Sequence, residues 1–264
     1  MTHEILVLGG TGKTGRRIVQ RLRTAGVPVR VGSRSAPLPF DWSDRATWAP
    51  ALRDVRTVYV SYYPDLAVPG APADIQAFTE LAVASGVTRL VLLSGRGEDE
   101  AEACERIVRG AGVEWTVLRS SWFNQNFSED YLLEAVLGGE VALPVGAVPE
   151  PFVDAEDIAD VAVAALTGDG HAGQVYELTG PRLLTFAAAI AEIAAATGRD
   201  ITFVQVPPQD FAAALPPEVA ELLMYLFTTV LDGRNAYLTG DVRRVLGREP
   251  RDFAEYAKEA AAGW

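Results

Sequence analysis

The sequence predicts an α/β protein, a doubly wound parallel sheet with helices on both faces and a small, mainly helical C-terminal lobe. Three observations predict it. An apolar run near the start of the chain breaks into a glycine-rich turn, five more short β-type runs follow with helical patterns between most of them, and the last third of the chain lacks that alternation. Strands alternating with helices imply parallel pairing, because parallel neighbours need a crossover and not a tight turn. At 264 residues, 49% hydrophobic and 22% charged, the chain can bury a large core.

The first strand covers 5–8 and runs into Gly9-Gly10-Thr11-Gly12-Lys13-Thr14-Gly15, followed by a helical pattern over 14–25. Gly9 permits the tight turn, Gly12 lets the backbone approach a pyrophosphate, and Gly15 lets the helix pack closely on the strand. The free N–H groups of the first helical turn then face the anion. A P-loop is excluded, since Val7 occupies the position where that motif needs its first glycine. Further strands are expected at 29–31, 57–60, 90–93, 115–118 and 175–178. Helices are expected at 45–52, 72–85, 99–110, 126–137, 156–166 and 185–197. Gly26, Gly86 and Gly198 follow helical runs as C-terminal caps, and Thr185 caps an alanine-rich helix. Between the second and third strands only Leu38-Pro39-Phe40 offers an extra strand, which proline confines to an edge or a remnant. Pro207-Pro208 and Pro216-Pro217 punctuate a C-terminal region, 181–264, expected to lie over the carboxyl ends of the strands, where open α/β sheets bind ligands.

A net charge of −12 argues against nucleic acid and against anionic membrane surfaces as partners, because both are held by basic faces. The N-terminus enters a strand at once and lacks a signal-peptide pattern, and the apolar run 219–230 contains Glu221 and is too short to span a bilayer. The expected location is the cytoplasm. A lone cysteine, Cys104, rules out a disulfide framework and reads as a core residue. His3 and His171 are the only histidines, so no metal site is expected, and His171 reads as a loop residue.

Longer motifs carry a resemblance: Leu118-Arg119 with Trp122-Phe123-Asn124-Gln125-Asn126-Phe127, then Pro151-Phe152-Val153-Asp154-Ala155-Glu156-Asp157-Ile158-Ala159, Val175-Tyr176-Glu177-Leu178-Thr179-Gly180, and Leu246-Gly247-Arg248-Glu249-Pro250 after Asp241-Val242. Together with the glycine turn, they make the chain resemble the NmrA-like group of atypical short-chain dehydrogenase/reductases, which includes NAD(P)H-dependent quinone and triphenylmethane reductases. The resemblance implies a Rossmann core over 1–180, with substrate-site segments near 122–150, and a substrate-binding lobe over 181–264. The wider superfamily uses a tyrosine with a lysine four residues later. Here the only lysines are Lys13 and Lys258, preceded at that distance by Gly9 and Ala254, so the pair is absent. Counting from Glu105, the two positions fall on Gly97 and Ala101.

Ser33 and Arg34 follow the second strand where NAD-using members place an acid, and their donors favour the 2′-phosphate of NADP(H). Gly9, Thr11, Gly12, Lys13, Thr14 and Gly15 are the pyrophosphate residues, and Asp41 resembles the family's adenine contact. Ser61-Tyr62-Tyr63-Pro64 is expected beneath the nicotinamide ribose, with Ser61 a cofactor contact and Tyr62 and Tyr63 candidate acids. Ser94 matches the family's active-site serine, a candidate for both cofactor contact and catalysis. Leu92 before it rules out a serine-hydrolase elbow. Glu98, Asp99, Glu100, Glu102 and Glu105 read as a solvated, dipole-favoured helix start, although Glu98 lies nearest the vacant tyrosine position. Trp122, Phe123, Phe152, Met224 and Phe227, with Asn126, are candidate substrate contacts and suggest a bulky, aromatic ligand.

These residues point to an NAD(P)H-dependent oxidoreductase acting on an apolar, aromatic carbonyl or quinone-like compound. The proton would come from water, from Tyr62 or Tyr63, or from the substrate, with no single side chain indispensable. The alternative is a redox-sensing regulator that binds NADP(H) without turnover and signals to a protein partner.

Overall fold

Strand β1, Glu4–Leu8, is followed by α1, Lys13–Thr24; β2, Val29–Gly32; α2, Trp48–Leu52; β3, Val55–Val60; α3, Ala71–Ala84; β4, Arg89–Gly95; α4, Asp99–Arg109; and β5, Glu114–Ser120. The computed structural model describes residues 4–264, apart from the side chain of residue 218, and His3 therefore lies outside the described residues. Then come α5, Leu133–Gly138; β6, Glu140–Leu143; α6, Ala155–Thr167; β7, Gln174–Leu178; α7, Phe186–Thr197; β8, Thr202–Gln205; α8, Pro208–Ala213; α9, Pro217–Tyr225; α10, Asp241–Leu246; and α11, Phe253–Ala260. The chain folds as two compact units. The first runs to Ser120 and includes Ala155–Glu177, and the second comprises Ser121–Asp154 and Leu178–Trp264.

In the first unit six strands form one sheet in the order β2-β1-β3-β4-β5-β7, and β1–β2, β1–β3, β3–β4 and β4–β5 pair in parallel. Its central strands are apolar throughout because both faces are covered. Alternate residues divide between the faces. Leu6, Leu8, Val58, Val60, Leu90 and Leu92 join the core built with α2, α3 and α4. Tyr59, on the opposite face of β3, reaches Thr14 of α1 instead. Helices α1 and α6 are tied by Arg17 to Glu156 at 2.5 Å and by Arg21 to both Glu156 and Asp160.

The expected remnant strand at Leu38-Pro39-Phe40 does not form. Phe40 instead turns inward and packs with Trp42, Trp48 and Phe78 at ring distances of 5.1 to 6.2 Å. Burying that ring outweighs what a proline-interrupted edge strand offers.

The second unit holds a two-stranded parallel sheet, β6 with β8, and a core of Phe127, Phe152, Phe186, Phe227, Phe253 and Tyr256. The helix expected over 126–137 is shorter. A 3₁₀ turn occupies Asn124–Phe127 and α5 begins only at Leu133, because Ser128, Asp130 and the asparagines favour local turns over helix. The expected cap at Thr185 is present, its side chain accepting from the N–H of Ala188, and Gly198 closes α7 with φ +67°. No helix of the described residues is long and apolar enough to cross a membrane.

Candidate functional site

Backbone hydrogen bonds close the turn after β1. Gly9 has φ +65°, the N–H of Gly12 donates to the Gly9 carbonyl at 2.8 Å, and Arg16 donates to the Gly12 carbonyl at 3.0 Å. A Cβ on Gly15 would stand 2.2 Å from the Gly9 oxygen, so no other residue keeps this turn. Thr11 and Gly12 are exposed, Lys13 is half-buried, and Thr14 is buried with its Oγ1 accepting from the Tyr59 hydroxyl. An open groove bounded by Thr11, Arg16, Arg23 and Val31 leads off the turn and carries positive charge. A helix N-terminus with exposed Thr11 and Gly12 before it and the cations nearby suit an anion of pyrophosphate size.

At the end of β2, Ser33 is buried and Arg34 exposed. The Arg34 guanidinium lies 5.3 Å from the centre of the Tyr63 ring. Hydrogen bonds from the backbone N–H and hydroxyl of Ser43 hold the Asp41 carboxyl below its ordinary range, and the charge of Arg34 adds to this. The fold thus brings Arg34, Asp41 and Tyr63 together. Trp42 donates its indole N–H to the Ser61 carbonyl, and the Ser61 side chain lies where a Cβ on Gly9 would meet it, at 3.3 Å. Two of the proposed tyrosines differ sharply. Tyr62 donates its hydroxyl to Asp74 Oδ2 at 2.9 Å, and burial followed by that carboxylate raises its pKa. Tyr63 is 66% exposed.

Ser94, at the end of β4, donates to Glu105 Oε1 at 2.7 Å. Arg119 of β5 binds both oxygens of the same carboxylate and reaches Glu177 of β7 at 3.2 Å, with Arg96 on the other side of Glu177. The hydrogen bond from Arg119 to Glu105 and the neighbouring carboxylates raise the Arg119 pKa against its burial. Ser94 therefore has its proton committed to Glu105 and its lone pairs available to accept.

The acidic helix start is not uniformly solvated, and this corrects the sequence reading. Glu105 is 1% exposed and Glu98 is 9% exposed. Glu105 turns inward to meet Arg119 and Ser94, and Glu98 folds over Gly95, which has no side chain to obstruct it. Cys104 is buried, its thiol pushed up to about 12 chiefly by burial, in keeping with a core residue. His171 pairs its Nδ1 with the Tyr176 hydroxyl at 2.8 Å, and burial lowers its pKa.

The candidate substrate residues lie in the second unit. Trp122 is half-buried and stacks on Phe227 at 5.0 Å, and Phe123, Asn126 and Met224 are also half-buried. Phe152 and Phe227 are almost fully buried, Phe152 packing edge-on against Phe186 at 5.0 Å. Two features carried no role in the sequence reading. Asn124 is fully buried with neither side-chain atom hydrogen-bonded among the described residues, and Gln125 donates to Asp154, which also pairs with Arg251. Both asparagine and glutamine are ordinary surface residues by type, so only their burial marks them.

No family model matches the chain. An uncharacterized oxidoreductase, YesF, of Bacillus subtilis is 33% identical over 277 residues, covering 98% of this chain and 96% of that protein. The crystal structure of the NADPH-dependent quinone oxidoreductase QOR2 of Escherichia coli with NADPH superposes with a TM-score of 0.80 at 22% identity, over 97% of this chain and 99% of that one. NmrA, a negative transcriptional regulator solved with NAD, gives a TM-score of 0.75 at 16% identity, over 98% and 95%. The structural likenesses are of fold, and the sequence relative extends over nearly the whole chain. With the glycine turn, the six-stranded sheet and that full-length relative in agreement, the chain belongs to the NmrA-like group of the atypical short-chain dehydrogenase/reductases.

Proposed function

We propose that the chain is an NAD(P)H-dependent reductase that prefers NADP(H) and delivers hydride to an apolar, aromatic carbonyl or quinone-like compound without a tyrosine–lysine pair. The observation that carries this is the Gly9–Gly15 turn, where a Cβ on Gly15 would stand 2.2 Å from the Gly9 oxygen and the chain passes directly into the N-terminus of α1. The residues present fit a dinucleotide. Gly9, Thr11, Gly12, Lys13, Thr14 and Gly15 would hold the pyrophosphate, Ser33 and Arg34 the 2′-phosphate, Asp41 the adenine, and Ser61 and Ser94 the nicotinamide side. When bound, the dinucleotide supplies hydride.

The protein's share begins with binding, orienting and excluding water. Trp122, Phe123, Asn126 and Met224 contact the acceptor, with Phe152 and Phe227 supporting them from the core. A quinone-like acceptor suits this, and the reading is supported by likeness to the NADPH-dependent quinone oxidoreductase QOR2 and to a 30% identical relative, the NAD(P)H azoreductase of Xenophilus azovorans. The test is oxidation of NADPH and NADH against a panel of quinones and aromatic ketones. The expected result is turnover with a quinone and faster turnover with NADPH than with NADH. The likeness to NmrA favours a competing regulator reading, and NADPH binding without oxidation by any acceptor selects it.

A further inference from the structure

The β4–α4 junction holds a carboxyl that the reductase reading leaves without a task. Glu98 stands one residue before α4, and its carboxyl lies where a Cβ on Gly95 would be, 1.9 Å from that position at Oε1 and 2.4 Å at Oε2. Its Oε2 is buried and has no hydrogen-bond partner among the described residues. Ser120, paired with Gly95 across the β4–β5 ladder, carries an Oγ in the same condition. Leaving a buried polar atom unpaired is costly, so one on Glu98 and one on Ser120, at the carboxyl ends of paired strands, indicate atoms kept for a ligand.

Two of the three hydroxyl candidates are already engaged, and the third is in solvent. Ser94 donates to Glu105 and Tyr62 donates to Asp74, while Tyr63 stands in solvent beneath the Arg34 guanidinium. We propose that Glu98 is the acid that supplies the proton of this reduction, a role that rests on the reductase reading. Burial raises its pKa well above the usual carboxylate value, and the charges of Asp65 from the loop after β3 and of Glu100 and Glu105 from α4 add to this. These causes favour the protonated form of the carboxyl, the form that has a proton to give.

The balance is simple. Hydride from the dihydronicotinamide brings an electron pair to the acceptor, the Glu98 O–H bond breaks with its pair remaining on the carboxylate, and an O–H bond forms on the acceptor oxygen. For a quinone, one hydride and one proton make the hydroquinone. The proton on Glu98 is replaced from solvent once the product has left.

The test compares the full-length wild type with Glu98→Gln and Glu98→Asp, using NADPH and menadione. Loss of the acid should lower kcat by about 10²-fold or more, with NADPH affinity by fluorescence titration unchanged and partial recovery in Glu98→Asp. The wild-type kcat should fall at high pH, and Glu98→Gln should lose that limb. Infrared spectra of the wild type at neutral pH should show a protonated carboxyl band that Glu98→Gln lacks, which checks the neutral acid whether or not the variant turns over. A folded Glu98→Gln enzyme within about tenfold of wild type overturns the role and leaves the reductase reading standing. Absence of the band in the wild type overturns it as well. A wild type that binds NADPH and reduces neither menadione nor an aromatic ketone overturns the reductase reading, and this role with it.

Discussion

Two strand-to-helix junctions of the first unit use glycine for opposite ends. Between β1 and α1, the missing Cβ of Gly15 admits a backbone oxygen at 2.2 Å, and the tight turn leads directly into a helix N-terminus, which favours an anion. Between β4 and α4, the missing Cβ of Gly95 admits the carboxyl of Glu98 at 1.9 Å. The first junction favours negative charge and the second suppresses it, although both sit at a helix N-terminus. Magnitudes explain why. A helix N-terminus favours a carboxylate by about 0.3–1 kcal/mol, whereas full burial shifts a carboxyl by up to roughly 3–5 pKa units, several times more. A helix start therefore attracts charge only where water or a ligand can share the cost of desolvation.

The comparison is broken or sharpened first by adding one methyl at each glycine. Gly15→Ala presses on backbone atoms of Gly9 that cannot turn aside, so both nucleotides should lose binding and the fold should lose about 1–3 kcal/mol or more. Gly95→Ala meets the flexible end of Glu98 first, so the fold and NADPH binding should survive while menadione reduction falls. Fluorescence titration, thermal unfolding and steady-state kinetics on both variants measure this. Equal losses of NADPH affinity in the two variants would remove the distinction between a backbone site and a side-chain site.

A smaller effect is expected at the edge of the first junction. Arg34 rests on Tyr63 and near Asp41, an arrangement that positions its guanidinium before any ligand arrives. Replacing it with alanine should weaken NADPH by about 1.5–3 kcal/mol, the worth of a charged hydrogen bond, and leave NADH nearly unchanged. At about 1.4 kcal/mol per decade, the preference should move by one to two decades in titrations of the two nucleotides. Equal weakening of both would assign Arg34 to the common part of the nucleotide instead.

The same contrast explains what was legible in the sequence. All six strands of the large sheet fall at the expected places, because a strand buried on both faces must be apolar throughout and announces itself. The glycine turn was equally visible, since its spacing follows from backbone sterics. Strands β6 and β8 were not: Val141-Ala142-Leu143 and Phe203-Val204 are short runs whose pairing depends on distant chain segments. Residues 38–40 failed as a strand because an aromatic core competed for Phe40. The acidic residues 98–105 were misread for a related reason. Helical periodicity placed them on one helix start, but nothing in a glutamate's identity says that Arg119 will draw Glu105 inward or that Gly95 will leave a space for Glu98.

The last effect is the smallest per step and needs no substrate. The folded protein holds a proton on Glu98 that the unfolded chain releases above the ordinary value of 4.5. Between that value and the raised one the folded state binds more protons than the unfolded state, so stability should decline as pH rises. One full proton corresponds to about 1.4 kcal/mol for each pH unit. Asp65, Glu100 and Glu105 face the same carboxyl and remain in Glu98→Gln, so the difference between variant and wild type isolates the one group. Glu98→Gln should flatten the decline and be the more stable protein at pH 8, with the two curves converging below pH 4.5. Urea unfolding followed across that range measures both slopes. Parallel curves would mean that Glu98 ionises in the folded protein as it does in the unfolded chain, and the second junction would then treat charge as the first one does.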